Sequence, residues 1–275
     1  MPSRFRFRGS AIGAAGQITR PFHEVIEIQA ATALPHIGGH GTARSVDFRH
    51  RDILRFDLAR TEVTGSEYGG DGDDSRTTRS TRVVSVVEGL NIHDVITADR
   101  VMAVLVSAYG PEADGEPSVR LTGTHFDNLK VAGVPLELDL AVEEFDKHHT
   151  RSLLASAYRK DKKIRGLVDQ LTLSDRANEA PPHILRWITH TTRGAELPDA
   201  RGFTALSLVR GIKPDPCGLV CFGHIIHIEG FGTIRLAEVE ISRTTRNVNM
   251  IQVNFGSPTG GHVAVGAVTD GGDGY

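Results

Sequence analysis

The sequence predicts a mainly β protein, built as an antiparallel sandwich or a barrel-like architecture, with a short α-helical insertion. Two observations lead to this fold class. Short runs rich in β-branched residues recur over most of the 275-residue chain, and glycine or proline separates them. Helical spacing of apolar residues appears in one region only, near the middle of the chain. A chain of this length can bury a sizeable hydrophobic core in one large β domain or in two smaller ones.

Four regions follow one another along the chain. Residues 1–20 combine Gly, Ala, Ser and Arg without any period, which predicts a flexible basic tail outside the core. Residues 21–140 carry strand-like runs and form a β-rich region. The helical insertion covers residues 141–195, and residues 196–275 form a second β-rich region that completes the same domain.

The strand pattern of the first β-rich region begins at Phe22, where apolar and acidic residues alternate. The valine-rich runs at 83–87 and 101–106 predict further strands, and the first of them could be buried on both faces. Between these patterns, residues 67–79 are rich in Gly and Asp, which predicts an exposed loop.

The helical insertion is predicted from apolar residues that recur every three or four positions between Leu153 and Leu171. Gly166 falls inside this amphipathic stripe and favours a split into two helices there. The β pattern returns at Phe203. In the segment 234–241 the apolar phase switches from one face to the other, which predicts a β-bulge near Ala237.

Composition and charge exclude several function classes. The formal net charge of −3 and the pI near 6.5 argue against nucleic-acid binding, which needs clustered Lys and Arg on one face. No apolar run reaches the length of a transmembrane segment, and the first residues lack the apolar core of a signal peptide. We therefore expect a cytoplasmic protein, and leave export by a non-classical route open.

Two stretches resemble a known family. The first runs from Ser85 to Asp99 (SVVEGL leading to VITAD) and continues at Phe126–Gly133 (FDNLKVAG); the second is Gly230–Leu236 (GFGTIRL). Together they resemble the choice-of-anchor P group of bacterial β-rich surface proteins. The resemblance covers about 100 residues and implies a β fold. It implies no activity and no functional residue.

A possible metal site lies in the second β-rich region. Cys217, Cys221, His224 and His227 form a C-x3-C-x2-H-x2-H pattern of four zinc-type ligands. The two ligand pairs lack a long connecting loop, and on a strand the two histidines would point to opposite faces. The alternative is that the cysteines pack as small hydrophobic residues and the histidines lie on sheet faces. No cofactor is predicted.

The candidate catalytic residues are His125, Asp127, His224 and His227, provided that the fold brings histidines and acids together. His93-Asp94 could also supply an oriented imidazole, but no G-x-S-x-G nucleophile motif accompanies it.

Other polar clusters have simpler interpretations. His36 and His40 flank two glycines, which favours an ordinary loop. The acidic stretch 71–74 resembles the opening of a calcium loop, but the position of the bidentate acid is Arg82. The segment 158–165 has an excess of four positive charges, typical of the water-facing side of an amphipathic helix; an acidic partner, a phosphate-bearing ligand or a membrane surface are the alternatives.

These observations predict a non-enzymatic β-rich structural or binding protein. The alternative is an enzyme or small-ligand-binding protein with a pocket inside the β architecture, using histidine and acidic residues. A homo-oligomer is a third interpretation, because short strand edges and apolar patches favour association of β-rich chains.

Overall fold

The computed structural model describes residues 5–69, 77–110, 116–169, 204–213, 219–242 and 245–271. This part of the chain forms two antiparallel sheets that pack face to face, a small two-stranded sheet and three short helices. The structure confirms the predicted fold class in its sandwich form: both large sheets are open, with edge strands at their ends.

The strands of the first half of the chain are β1 (Gly9–Arg20), β2 (Glu24–Gln29), β3 (Thr32–Ala33), β4 (Gly39–His50), β5 (Leu54–Tyr68), β6 (Thr78–Ile92), β7 (Ile96–Tyr109), β8 (Ser118–Arg120), β9 (His125–Asp127), β10 (Lys130–Val131), β11 (Val134–Pro135) and β12 (Glu137–Leu140). The strands of the second half are β13 (Thr204–Ser207), β14 (Val209–Lys213), β15 (Val220–Phe222), β16 (Ile225–Ile228), β17 (Gly232–Ile241), β18 (Arg246–Phe255) and β19 (Gly260–Asp270). The helices are α1 (Val142–Lys147), α2 (Arg151–Lys160) and α3 (Lys162–Asp169).

The first sheet has the strand order β15-β16-β17-β18-β19-β1-β2, with β13 beside β17 and β3 beside β1. The second sheet has the order β11-β10-β7-β6-β5-β4, with β8 and β9 both beside β7. Strands β12 and β14 form the small sheet. The edge strands β2 and β4 lie on the same side of the sandwich and contact each other.

The hydrophobic core lies between the two large sheets, where β1, β18 and β19 face β5, β6 and β7. Its centre consists of aliphatic side chains that are fully excluded from solvent, including Val63, Val87, Val101 and Val265. Because successive residues of a strand point to opposite faces, every second residue of these strands is available for the outer surface.

The first 20 residues differ from their predicted role. Gly9–Arg20 is not a tail but strand β1, which pairs with β19 and β2 inside the first sheet. Its small residues are explained by close packing between the sheets: a Cβ atom on Gly13 would lie 2.7 Å from Cβ of Ala59. With only two large apolar side chains, Ile12 and Ile18, the strand lacks the alternating pattern by which strands are recognised in a sequence.

The apolar phase of β17 switches at Ala237, as the sequence indicates, but the mechanism is not a bulge. The pairs Leu236–Ile251 and Glu238–Asn249 keep the same register on both sides of this position, so no extra residue is inserted. Instead, Ala237 has a left-handed backbone with a φ of 48°. One residue in this conformation is enough to turn the next side chains to the opposite face.

The helices confirm the short helical insertion, while the break between them differs from the expected one. Helix α2 ends at Asp161, whose carboxylate accepts a hydrogen bond from the backbone N–H of Lys163 at 2.8 Å, and Gly166 lies inside α3. The side chain of Asp161 caps the first turn of α3 and so favours a helix start at this position. This effect outweighs the weaker tendency of Gly166 to break the helix. The remainder of the predicted insertion, residues 170–195, lies outside the described residues.

Glu116 attaches helix α2 to the sandwich. Its carboxylate accepts hydrogen bonds from the backbone N–H of Ser152 at 3.0 Å and from Arg151 at 3.3 Å. Burial raises the pKa of Glu116, but the hydrogen bonds from Ser152 and the charge of Arg151 outweigh burial and lower the pKa overall.

Within the described residues, no helix is long and apolar enough to cross a membrane.

Candidate functional site

The outer face of the second sheet, which points away from the first sheet, carries an ordered array of charged and apolar side chains. Its register places Arg44, Arg60, Val86, Met102 and His125 directly beside one another across β4, β5, β6, β7 and β9. The composition of this row changes from cationic at the sheet edge to apolar over β6 and β7.

The row next to it also changes from polar at the sheet edge to apolar, without a cationic residue. Thr42, Glu62, Val84 and Val104 are neighbours across β4 to β7. A third row begins with His40 and Thr64, whose side chains lie 3.1 Å apart (Nδ1 to Oγ1), and continues with Arg82. Three successive rows thus share a polar half over β4 and β5.

The apolar half forms a small hydrophobic cluster separate from the core. It consists of Val84, Val86 and Val104, which are 6%, 2% and 3% exposed, together with the partly buried Met102 and Val106. Such burial on an outer sheet face requires cover by neighbouring groups, and at Val104 the chain before β9 provides part of it, since a Cβ atom on Gly123 would lie 3.3 Å from the Val104 side chain.

The arginines of this face differ in how they are paired. Arg82 forms an ion pair with Glu62 at 3.5 Å. Arg44 and Arg60 stand directly opposite each other on adjacent strands, and both are exposed. Within the described residues, neither of them has a carboxylate at ion-pair distance. Like charges in directly opposed positions of a sheet are destabilising, by about 0.2–1 kcal/mol.

These residues line a groove of about 380 Å³ on the outer face. We call it the arginine groove and define it by Arg44, Arg60, Arg82, Val84, Val86 and Met102; Glu62 also lines it, with its carboxylate paired to Arg82. Its volume lies within the range of small-molecule sites in proteins. Chemically, it combines an apolar floor with guanidinium groups at one end, an arrangement suited to an anion that also has an apolar part.

His125 and Asp127, two of the candidate catalytic residues, lie together at the far side of the same face. They are two apart on strand β9 and so share a face, and Nε2 of His125 is 3.6 Å from Oδ2 of Asp127. Arg100 connects Asp127, at 3.8 Å, to Glu88, at 3.1 Å. Both His125 and Asp127 remain substantially exposed, at 38% and 46% of their side chains.

One hydrogen bond fixes the ring of His125. Its Nδ1 lies 2.7 Å from the carbonyl oxygen of Gly123, and since a carbonyl only accepts, Nδ1 carries the hydrogen. The neighbouring hydroxyl, on Thr124, bonds to Val104 twice: it accepts from the N–H at 3.0 Å and donates to the carbonyl oxygen at 3.1 Å. This hydroxyl is therefore not placed as a nucleophile activated by His125.

Two larger depressions flank strand β9. One, of about 870 Å³, extends from His125 to Arg210, which is engaged by Asp139 at 3.3 Å and Glu144 at 2.6 Å. The other, of about 750 Å³, is lined by Asp57, Glu88, Gly89, Asp99 and Asp127, among others. The arginine in each of them, Arg210 or Arg100, is paired with two carboxylates, in contrast to the opposed Arg44 and Arg60.

The second pair of candidate residues lies in the other sheet. His224 is in the turn between β15 and β16, 2% exposed, and its Nε2 is 3.1 Å from Oε1 of Glu238. His227 is on β16, and its Nδ1 is 3.4 Å from Oγ1 of Thr233. The structure thus does not bring His224 and His227 together with His125 and Asp127.

The metal pattern stays a prediction. Cys217 lies outside the described residues, and Cys221 is a partly buried cysteine on β15. Among the described residues, no group of three or more His, Cys, Asp or Glu side chains has a metal-binding arrangement. The acidic stretch 71–74 also lies outside the described part of the chain.

His93-Asp94 does not form an oriented imidazole–carboxylate pair. Asp94 accepts hydrogen bonds from Arg55 at 2.8 Å and from the side chain of Asn91 at 2.9 Å. The His93 ring instead lies near Phe231 and Phe255, with centroid distances of 6.4 and 6.5 Å. Both interactions stabilise the β6–β7 turn.

The arginine groove was not predicted from the sequence. Arg44, Arg60 and Arg82 are spread over 39 positions, and only the register of three strands brings them together. One signal for this groove was present in the sequence. Arg44 and Arg60 occupy solvent-facing positions of their strands, and residues near them on the same face are Thr, Glu and Val.

Comparison with known proteins identifies a family but no activity. No curated protein and no solved structure matches the chain. One family model, described as a domain of unknown function (DUF8256), matches residues 5–242. This match does not address the resemblance to the choice-of-anchor P group, which stays a prediction. Because the match covers well over half of the sequence, the chain belongs to the DUF8256 family.

Proposed function

We propose that this protein is a non-enzymatic binding protein that holds an anion in the arginine groove. The observation that carries the proposal is the pair Arg44 and Arg60, directly opposed on β4 and β5 without a carboxylate partner in the described structure. A bound anion between them would offset their mutual repulsion. Guanidinium groups suit this role because they present several donors in a fixed plane to carboxylate, sulfate or phosphate.

The polar groups elsewhere support binding over catalysis. At strand β9, Arg100 bridges two carboxylates, and the hydroxyl beside His125, on Thr124, is bonded to the backbone of Val104 and is not placed as a nucleophile. Catalytic groups usually need a free reactive atom within hydrogen-bond reach of a substrate position. In the arginine groove, by contrast, exposed donors face a depression with an apolar floor.

The double substitution R44Q/R60Q is expected to weaken anion binding by roughly tenfold or more, because charged hydrogen bonds of this kind contribute about 1.5–3 kcal/mol. The measurement is a titration with inorganic sulfate, followed through backbone amide and arginine side-chain resonances by NMR. In the wild-type protein, we expect saturable shifts on β4 and β5.

The matched control is R49Q, which removes the same charge from the same strand about 17 Å away by strand rise. Arg49 is exposed and pairs with Asp52 at 2.6 Å, so its loss should leave sulfate binding unchanged. Stability gives a second readout: R60Q should keep or raise the free energy of unfolding, by about 0.2–1 kcal/mol. Equal sulfate shifts in the wild type and in R44Q/R60Q would refute the proposal.

A second candidate function is self-association through the edge strand β2. Phe22, Val25 and Ile28, in and beside this strand, are 57%, 67% and 60% exposed, an unusual apolar surface for an edge strand without lysine or proline. A second copy of the chain is the proposed occupant, since an antiparallel pairing of two β2 strands can place the valine of one copy against the isoleucine of the other.

Light scattering coupled to size-exclusion chromatography tests this self-association. We expect a dimer for the wild-type protein and a monomer for I28K, because a lysine at an edge position opposes strand pairing. A lysine at an exposed apolar position of a helix, L153K, is the control, since Leu153 is 44% exposed but lies on α2 rather than on an edge strand. A monomeric wild-type protein at high concentration would rule out this second function.

A further inference from the structure

We infer that the ligand of the arginine groove is an amphiphile with one anionic head and an unbranched apolar chain, a medium-chain carboxylate being the simplest member of the class. This inference rests on the proposed anion-binding function. It adds the apolar half of the ligand, which an anion site alone would not require.

The order of side chains along the groove supports an amphiphile. From β4 to β7 the central row reads Arg44, Arg60, Val86 and Met102. A site for a compact anion such as phosphate is typically surrounded by donors, whereas here Arg44 and Arg60 lie on one side and the third arginine, Arg82 on β6, is paired with Glu62. On the other side, the groove is floored by Val84, Val86 and Met102, which offer no hydrogen bond to a polar ligand.

The hydrophobic cluster beneath the groove extends beyond the part in contact with the cationic end. Val104 and Val106 continue it along β7, in the rows beside Met102. Because the three valines are already buried, a ligand chain over this cluster would remove from water chiefly the surface of the partly buried Met102 and Val106, together with its own. The sandwich does not need this cluster for its own packing, since the core lies on the opposite face of these strands. Binding of a ligand chain would give the cluster a role.

The dimensions limit the length of the chain. Neighbouring strands are about 4.8 Å apart, so the path from Arg60 on β5 to Met102 on β7 measures roughly 10 Å. The groove volume of about 380 Å³ equals that of about a dozen water molecules. Next to Met102 in the same row is His125, whose ring is fixed on the Gly123 carbonyl oxygen and ends the apolar floor with a polar group.

The experiment is an NMR titration with a homologous series: acetate, butyrate, hexanoate, octanoate and decanoate, each below its aggregation concentration, with inorganic sulfate as the chain-free anion. We expect the dissociation constant to fall with each added methylene, by at most roughly fourfold, the gain for one fully buried CH₂ group. The gain should stop once the chain passes Met102.

Two variants separate head from chain. R44Q/R60Q should weaken every member of the series by a similar factor and leave the chain-length dependence intact. M102Q, which preserves side-chain length at a partly buried outer position, should flatten the dependence and leave acetate and sulfate binding unchanged.

The outcomes distinguish the two proposals. If octanoate binds no more tightly than acetate while both require Arg44 and Arg60, the amphiphile inference is wrong and the anion-binding function stands. If neither sulfate nor any carboxylate depends on these arginines, both are wrong. If affinity rises with chain length but the NMR shifts lie on other strands, the inference is also wrong. This outcome is measured on the wild-type protein and needs no variant.

Discussion

Replacing Asp270 by alanine is expected to lower the free energy of unfolding by about 3–5 kcal/mol, the usual cost of leaving one member of a buried ion pair without its partner. Asp270 is fully buried at the end of β19, and Arg246, 3% exposed, lies 3.8 Å away at the start of β18. The Ser107 hydroxyl donates to the same carboxylate oxygen at 2.7 Å, and Arg246 donates to the Tyr109 hydroxyl at 2.9 Å. Both partners of the pair are thus connected to β7 in the opposite sheet.

Urea denaturation of D270A, R246M and the double variant D270L/R246M checks this expectation. Each single variant leaves one buried charge, so both should be strongly destabilised. The double variant removes both charges and should recover much of the loss, because buried ion pairs can often be replaced by apolar groups at little cost. A loss below about 1 kcal/mol for D270A would mean that the pair does not connect the sheets energetically.

The substitution G232A is expected to destabilise the protein by about 3 kcal/mol, the upper end of the range for backbone strain at one residue. Gly232 begins β17 with a φ of 134°, a conformation that L-residues rarely adopt. A Cβ atom there would overlap the Asn254 carbonyl oxygen and lie 2.7 Å from the backbone N of Gly256. Relief would require the backbone of β18 to move, since neither contact is with a flexible side chain.

The matched control for G232A is G39A at the start of β4. Gly39 has a φ of 115°, but a Cβ atom there would have no other atom within 4 Å. G39A therefore measures conformational strain without overlap, and the difference between the two variants in thermal or urea denaturation gives the steric contribution. Equal losses of stability in the two variants would show that the backbone of β18 moves away from the new Cβ atom without an energetic penalty.

Part of the fold could be predicted because local sequence patterns are strong where side chains are large. The valines of β6 and β7 and the apolar stripe of α2 and α3 correspond to buried positions, with Leu154 and Ile164 at 3% and 1% exposure. Strand β1 was missed for the opposite reason. Its glycines and alanines allow the sheets to approach closely, and this packing requirement has no period in the sequence.

The candidate site could be predicted only in part, because its residues come together through the pairing of different strands. His125 and Asp127 can be placed on one face from their spacing alone, since residues two apart on a strand share a face. Arg44 and Arg60 are neighbours only through the register of β4 with β5, which the turn between these strands determines. The apolar floor was likewise interpreted as buried core, because valines covered on an outer sheet face and valines between sheets look alike in a sequence.

The most direct test of the arginine groove is a crystal structure of the protein with 8-bromooctanoate, in which the anomalous signal of bromine locates the end of the chain and the density locates the carboxylate. We expect the carboxylate between Arg44 and Arg60 and the bromine near Met102, over the valines of β6 and β7. A carboxylate bound away from these arginines, or no ordered ligand on this face at a saturating concentration, would contradict the proposed function.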